Sequence, residues 1–232
     1  MIPGHVAVVV PARNEEDELP ACLASLGAAR DHLLRTVPRV QVSVTVVLDR
    51  CTDGSERIAR GMPGVAVIAG SFGSVGAARH AGVEFALARS RSLPVRTWVA
   101  CTDADTTVPL DWLVGHHRLA AEHDLVLGTV RPSQTLHNTD RLRLWDRAYT
   151  SADGHDHVHG ANLGIRGGTY EEVGGFRPFL QDEDVDLVVR AKSAGARWVA
   201  TAALQVVTSS RTEGKVPAGF STYLRDLGRS SA

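Results

Sequence analysis

The sequence has little of what marks membrane, secreted and nucleic-acid-binding proteins. Only three cysteines occur in 232 residues, and Cys22, Cys51 and Cys101 lack metal-ligand spacing, which favours a reduced, cytoplasmic protein over a secreted one. No apolar run approaches the ~20 residues that span a bilayer, so we expect no transmembrane segment, although peripheral membrane contact stays open. The formal net charge of −1 gives no basic patch for nucleic acid. Met1–His5 leads directly into an apolar strand pattern, which argues against a signal peptide.

The first half of the chain repeats one pattern, in which an apolar run is followed by a polar turn and then by a helical pattern. This repeat predicts an α/β fold with a parallel sheet and right-handed crossovers. The first helical pattern follows Asn14, which is a good N-cap residue. The predicted strands of this half are Val6–Val10, Val42–Leu48, Val65–Ile68 and Trp98–Thr102.

The second half is less regular, but no linker separates it from the first. We therefore expect a single domain over residues 1–232. The predicted elements are strands at Leu125–Val130, Asn162–Arg166 and Ala203–Val207, a helix at Thr139–Tyr149, a helix that opens at the acidic cluster Gln181–Asp184, and a C-terminal amphipathic helix carrying Phe220, Tyr223, Leu224 and Leu227.

Carboxylates follow three of the predicted strands. Asp103 and Asp105 come directly after the fourth strand, and Glu15 and Asp49 follow the first two. Ligands bind outside the carboxyl ends of strands in open α/β sheets, so we expect these four side chains to converge on one cleft. Two hard oxygen ligands such as Asp103 and Asp105 can hold Mg²⁺ or Mn²⁺ against a phosphate-bearing ligand. The alternative for each acid, and for Asp53, is a turn or helix-cap residue.

Several short motifs follow one another in a fixed order. They are Pro-x-x-Asn-Glu-Glu after the first strand, Asp-x-x-x-Asp-Gly-Ser after the second, Gly-x-x-Gly-x-Ala-Arg before a helix, Asp-x-Asp after the fourth strand, then Gly-Gly-Phe and Glu-Asp-Val-Asp-Leu. This order, over roughly Val6–Ala194, resembles glycosyltransferase family 2. The resemblance implies the GT-A fold, a Rossmann-type, mainly parallel sheet flanked by helices, with a nucleotide-binding half (1–130) and an acceptor-binding half (131–232).

The resemblance also implies roles for residues on the donor side. Pro11, Arg13 and Glu15 would line the nucleotide site, with Glu15 meeting the ribose, and Asp49 would meet the edge of the base. Arg79 matches the family's Ala-Arg position near the donor, and its alternative is a solvated helix arginine. By the same resemblance, Asp103 and Asp105 would bring the metal to the donor diphosphate, with Asp105 the direct ligand.

The pair Glu183-Asp184 resembles the acidic pair from which the family draws its general base. Crowded carboxylates raise one another's pKa, which suits a base, and the preferred member of the pair is Asp184. The alternative is a helix start, where acids are favoured by the helix dipole.

A departure from the family pattern concerns histidine. Many members have a late histidine that completes the metal shell, whereas this chain has none after His159. Arg211 occupies that late region and is a candidate contact for the diphosphate instead. His155, His157 and His159 alternate in one polar loop, where a metal triad, acceptor contact and a plain loop all stay open.

The expected function is metal-dependent transfer of a sugar from a UDP-, GDP- or dTDP-sugar to an acceptor hydroxyl, with inversion as the family default. Asp103–Thr107 also fits the Asp-x-Asp-x-Thr nucleophile motif of haloacid-dehalogenase-like phosphatases, in which Asp103 would form an aspartyl phosphate, but that motif normally follows the first strand. The third interpretation is a non-catalytic nucleotide-sugar-binding protein. A dinucleotide-binding dehydrogenase is disfavoured because no Gly-x-Gly-x-x-Gly follows the first strand.

Overall fold

A computed structural model describes residues 1–133 and 139–211 of the chain. Eight strands form one sheet, and seven α-helices flank it in the described part. The strands are β1 (His5–Ala12), β2 (Gln41–Asp49), β3 (Val65–Gly70), β4 (Thr97–Cys101), β5 (Thr106–Thr107), β6 (Leu125–Pro132), β7 (Leu163–Arg166) and β8 (Trp198–Thr208). The helices are α1 (Leu19–Thr36), α2 (Ser55–Gly61), α3 (Val75–Arg89), α4 (Trp112–Leu119), α5 (Thr139–Ala148), α6 (Gly167–Glu172) and α7 (Glu183–Ser193).

The sheet is mostly parallel, as the sequence predicts. Its strand order is β3-β2-β1-β4-β7-β6-β8-β5. The neighbouring pairs β2–β3, β1–β2, β1–β4 and β6–β8 are parallel, whereas β7 runs antiparallel to both β4 and β6, and β5 runs antiparallel to β8. The carboxyl ends of β1, β2 and β4 therefore meet at one edge, and the loops that follow them lie side by side.

Two hydrophobic clusters hold helices on the two faces of the sheet. Alternate residues of β1 point to opposite faces, so Val8 belongs to one cluster and Val9 to the other. The first cluster includes Leu23 of α1 and Trp112 of α4, and the second includes Leu187 of α7 together with buried residues of α3. Burial on both faces explains why the central strands read as continuous apolar runs.

The start of the first helix differs from the sequence prediction. Helix α1 begins at Leu19, with Pro20 in its first turn, so Asn14 is not its N-cap. Asn14 instead has φ +54°, in the left-handed region that asparagine tolerates, and its Oδ1 accepts a hydrogen bond from the Thr52 backbone N–H at 2.7 Å. The residue therefore joins the loop after β1 to the loop after β2.

Other differences are small. Strand β8 is longer than predicted, and the two-residue strand β5, which pairs with it, has no sequence signal of its own. The predicted C-terminal helix around Phe220–Leu227 lies outside the described residues. Within the described ranges, no helix has both the length and the apolar character needed to cross a membrane.

The packing of α3 on the sheet gives a testable stability difference between two helical glycines. Gly82→Ala should lower the free energy of unfolding by about 1–3 kcal/mol, as overpacking does. An added Cβ there would lie 2.5 Å from Cγ1 of Val9 and 2.7 Å from Cγ2 of Val47. Gly27→Ala in α1 has nothing within 4 Å of its Cβ and should raise the same quantity by about 0.5–1 kcal/mol. Urea unfolding measures both, and equal shifts would contradict the tight contact at Gly82.

Candidate active site

A single cavity of about 650 Å³ opens where the carboxyl ends of β1, β2 and β4 meet the start of α7. Its walls include every residue singled out from the sequence as a donor, metal or base residue. These are Pro11, Arg13, Glu15, Asp49, Arg79, Asp103, Asp105, Glu183, Asp184 and Arg211. The four strand-end carboxylates thus line one space.

Asp49 and Asp53 do different things in the loop region after β2. Asp49 is buried, and its Oδ1 accepts hydrogen bonds from the backbone N–H groups of Phe72 at 2.7 Å and Gly73 at 3.2 Å, which fixes the loop after β3. Asp53 does not line the cavity. Its two oxygens accept from the backbone N–H groups of Ser55 and Glu16, each at 3.0 Å, so Asp53 is the turn and capping residue of the alternative interpretation.

Arg211 links the end of β8 to the donor side of the cavity. Its guanidinium donates to both carboxylate oxygens of Glu15, at 2.7 and 2.8 Å, and lies 2.9 Å from Oδ2 of Asp105. Burial and the nearby Asp103 raise the pKa of Asp105 to about 6, while Arg211 opposes the rise. The late arginine thus contacts Asp105, the residue expected to be the direct metal ligand.

Arg79 is the most buried charged group of the site, at 3% exposure. Its Nη2 lies 2.5 Å from Oδ1 of Asp103, and its Nη1 donates to Oε1 of Glu183. The solvated-arginine alternative is therefore wrong. Burial pulls the pKa of Arg79 down, but Asp103, Glu183 and Asp184 together hold it above its ordinary value. The guanidinium also lies directly under Gly160, where any side chain would collide with it.

The acidic run at the start of α7 separates into three environments. Glu183 is buried and paired with Arg79, whereas Asp186 lies outside the cavity and pairs with Arg190 at 2.6 Å. Asp184 lines the cavity and accepts hydrogen bonds from two backbone N–H groups, from Gly160 at 2.5 Å and from Val185 at 2.8 Å. Burial raises the pKa of Asp184, and Arg79 opposes that rise.

The histidine loop packs against an aromatic ladder. The Tyr149 ring stacks between Trp145 and His157, with centroids 4.1 and 4.0 Å apart, and its hydroxyl lies 3.0 Å from Nε2 of His159. His157 and His159 line the cavity and His155 does not. Burial, followed by the other two histidines, lowers the pKa of His159 to about 3, so this ring is neutral at pH 7. Nothing in the sequence marked Trp145 and Tyr149 as site residues beyond their helical spacing.

The charge balance of the cavity favours a bound cation. Its described walls carry an excess of acids, namely three arginines (Arg13, Arg79, Arg211) against seven carboxylates (Glu15, Asp49, Asp103, Asp105, Asp182, Glu183, Asp184). Among the residues the structure describes, no group of three or more His, Cys, Asp or Glu is arranged to hold a metal by itself. Mg²⁺ and Mn²⁺ are commonly held by one or two carboxylates together with phosphate oxygens of a ligand. Asp103 and Asp105 provide the two carboxylates.

The family of the chain follows from comparison with known proteins. The sequence profile of glycosyl transferase family 2 matches residues 7–172, which is more than half of the chain. The chain therefore belongs to glycosyl transferase family 2. The comparison with curated proteins finds no significant match.

Solved glycosyltransferases share its fold. Staphylococcus aureus TarS 1-349 in complex with UDP-GlcNAc is 18% identical, with a TM-score of 0.66 over 91% of this chain and 60% of TarS 1-349. GalNAc-T7 with UDP, GalNAc and Mn²⁺ is 13% identical, with a TM-score of 0.64 over 90% of this chain and 44% of that one. The mannosyltransferase PcManGT of Pyrobaculum calidifontis, with GDP-Man and Mn²⁺, is 21% identical, with a TM-score of 0.59 over 97% of this chain and 69% of that one. At these identities the likeness establishes the GT-A fold, and the chain spans less than two thirds of TarS and GalNAc-T7.

The buried ion pair of the site predicts a large coupling energy. Arg79→Met should lower the free energy of unfolding by about 3–5 kcal/mol, because it leaves two carboxylates without their buried cation. Adding Glu183→Gln should restore part of that loss, with a coupling of about 1–3 kcal/mol in a double-mutant cycle. The exposed pair Glu56–Arg60 in α2 is the matched control, with an expected coupling of at most about 0.5 kcal/mol. Additive effects at Arg79 and Glu183 would contradict the pairing.

Proposed function

We propose that the protein is a metal-dependent glycosyltransferase that moves a sugar from a nucleoside-diphosphate sugar to an acceptor hydroxyl. The observation that carries this proposal is the single cavity, which brings the strand-end carboxylates of the first half and Asp184 of the second half to one space. Family membership supports the reaction class. The UDP-GlcNAc, UDP and GDP-Man in the structural neighbours support a nucleoside-diphosphate donor without choosing the base.

The donor is assigned to the half formed by residues 1–130 within one domain of 232 residues. Pro11, Arg13 and Glu15 are assigned to the wall that contacts the nucleotide, and Glu15 is assigned to the ribose. Asp49 uses Oδ1 to hold the loop at Phe72 and Gly73, which leaves its Oδ2 edge for the base. A firmly held carboxylate at this place suits recognition of a base edge, because its orientation is fixed before the donor binds.

The diphosphate end of the donor meets the most charged part of the cavity. Asp103 and Asp105 would hold Mg²⁺ or Mn²⁺, and a bound metal would offset charge on the departing diphosphate. Arg211 is assigned to the diphosphate as well. Its guanidinium is paired with Asp105 and Glu15. It can replace one of these carboxylate partners by a phosphate oxygen of the donor.

Asp184 is the proposed general base, in the half formed by residues 131–232. Its oxygens are held by Gly160 and Val185, and its burial raises its pKa and makes it a stronger proton acceptor. It takes the proton of the acceptor hydroxyl as that oxygen attacks the anomeric carbon and the diphosphate leaves, which inverts the configuration. Glu183 is a positioning residue, because its carboxylate is committed to Arg79.

The two alternatives fit the site less well. A phosphatase would need Asp103 free to attack phosphorus, whereas Oδ1 of Asp103 lies 2.5 Å from Arg79 and the motif follows β4 rather than the first strand. A binding protein without catalysis has no use for a carboxylate with the position and raised pKa of Asp184. Donor hydrolysis or transfer above the buffer rate separates the enzyme from the binding protein.

The sharpest test of the mechanism is the replacement Asp184→Asn, which keeps the shape and removes the proton acceptor. Turnover should fall about 10²–10⁴-fold, the usual contribution of a positioned base, and donor affinity should barely change. Steady-state kinetics and donor calorimetry give the two readouts.

Two neighbours of Asp184 serve as controls. Asp186→Asn should change turnover little, because Asp186 lies outside the cavity and forms salt bridges with Arg177 and Arg190. Glu183→Gln should lower stability as well as turnover, because it breaks the buried pair with Arg79. Near-normal turnover in Asp184→Asn with loss of turnover in Glu183→Gln would make Glu183 the base, and near-normal turnover in both would place the base elsewhere, with His157 or His159 next in order.

The metal assignment predicts a selective loss of diphosphate binding. Asp105→Ala should weaken Mn²⁺-dependent binding of UDP or GDP far more than binding of uridine or guanosine, because Asp105 would help to hold a metal that offsets the charge of the diphosphate. Calorimetry with and without Mn²⁺ measures the difference. Asp53→Ala is the control, since Asp53 caps a turn outside the cavity and should leave the metal dependence intact. Equal losses for nucleotide and nucleoside in Asp105→Ala would make Asp105 a structural residue.

A further inference from the structure

The rim of the cavity next to Asp184 carries apolar side chains that face solvent. Leu180 and Val185 are 65% and 41% exposed, and both line the cavity. Phe179 and Val189, at 42% and 56% exposure, extend this surface outward. Val189 follows Val185 by one helical turn on the same face of α7. We call these four residues the apolar lip.

The cavity wall nearby is also largely apolar. Val158 and Ala161 line it beside the aromatic ladder of Trp145 and Tyr149. One polar atom of this wall, Nε2 of His157, is buried and has no hydrogen-bond partner among the described residues. Burial lowers the pKa of His157, so this ring adds no positive charge to the wall at pH 7.

The charges around the base disfavour a negatively charged acceptor. Asp182 and Asp184 line the cavity beside the apolar lip. Two of the three arginines in the described walls are engaged, Arg79 with Asp103 and Glu183, and Arg211 with Glu15 and Asp105. The third, Arg13, belongs to the donor side after β1. An anionic group placed next to Asp184 would therefore meet like charge.

We propose that the acceptor is a neutral molecule whose reacting hydroxyl lies close to an alkyl or aryl group, and that this group binds against Leu180 and Val185. The inference rests on the glycosyl-transfer function proposed for the same cavity. The reacting hydroxyl meets Asp184, and the apolar group covers the lip. Burying the apolar group removes both surfaces from water, which is the source of affinity that the lip offers.

The test compares acceptors that differ only in the apolar group and in charge. Methyl, octyl and phenyl glycosides of several hexoses, with octyl used below its micelle-forming concentration, are assayed beside the corresponding sugar phosphates. We expect kcat/KM for the octyl or phenyl acceptor to exceed that of the methyl glycoside by about tenfold or more, the gain expected from burying a few methylene groups. Sugar phosphates should be the poorest acceptors.

A matched pair of leucine variants shows whether the lip supplies this preference. Leu180→Asn should raise KM for the octyl acceptor about tenfold and leave KM for the methyl glycoside and the donor Kd unchanged, while Leu180→Met should keep the wild-type values. Leu110→Asn removes another exposed leucine, 53% exposed, that does not line the cavity, and should change neither KM.

The outcomes separate this inference from the function on which it rests. Failure to bind any nucleoside-diphosphate sugar would overturn the proposed function itself. Donor binding and hydrolysis without transfer to any alkyl or aryl acceptor, or with a preference for sugar phosphates, would overturn only the acceptor class. An equal loss for octyl and methyl acceptors in Leu180→Asn would make the lip a structural feature. A change of oligomeric mass in that variant would make it an interface between copies of the chain.

Discussion

The buried guanidinium of Arg79 is the constraint on which the site depends. It connects three elements that are far apart in sequence, because it rises from α3 and meets Asp103 after β4 and Glu183 at the start of α7. Removing such a group from water costs several kcal/mol, and only close pairing on both sides offsets that cost. Asp103 and the start of α7 are thus held at one fixed separation by a single side chain.

Small residues make this arrangement possible. Gly160 leaves room for the Arg79 guanidinium, and its backbone N–H donates to Asp184 at the same place. Gly76, in the first turn of α3, lets the helix approach the segment that leads into α7, since an added Cβ would collide with the backbone oxygen of Arg177 and lie 3.0 Å from Cβ of Glu183. The close packing of α3 against α7 therefore supports the orientation of the base as well as the buried pair.

The excess of carboxylates in the cavity links the fold to the donor. A diphosphate entering this space meets like charge unless cations offset it, and two of the three arginines in the described walls, Arg79 and Arg211, are already paired with carboxylates. A divalent metal and a redirected Arg211 are two ways to offset that charge, beside Arg13. The cavity therefore favours donor and metal together over either one alone, which is a coupling of binding free energies between two ligands.

The sequence predicts the parts of this molecule that depend on local pattern. Continuous apolar runs mark β1 and β4 because both faces of these strands are buried, and acids after them mark the carboxyl edge of the sheet. It does not predict contacts that depend on how distant segments meet. Arg211 and Glu15 pair across 196 residues, and the burial of Arg79 follows from packing rather than from its helical position. The prediction that Asn14 caps the first helix is wrong, because a long-range hydrogen bond with Thr52 outweighs the local preference of Asn14 for a helix cap.

The division of labour between Glu183 and Asp184 also follows from three-dimensional placement. Adjacent residues on a helix point about 100° apart, so only one of the pair can face Arg79 while the other faces the open cavity. Glu183 takes the inward direction, and its carboxylate is paired with Arg79 rather than open to the cavity. Asp184 receives one backbone N–H on each oxygen, which fixes the carboxylate and leaves lone pairs for a proton from the cavity. Asp184, the proposed base, is therefore the member of the acidic pair that the helix leaves without an ion-pair partner.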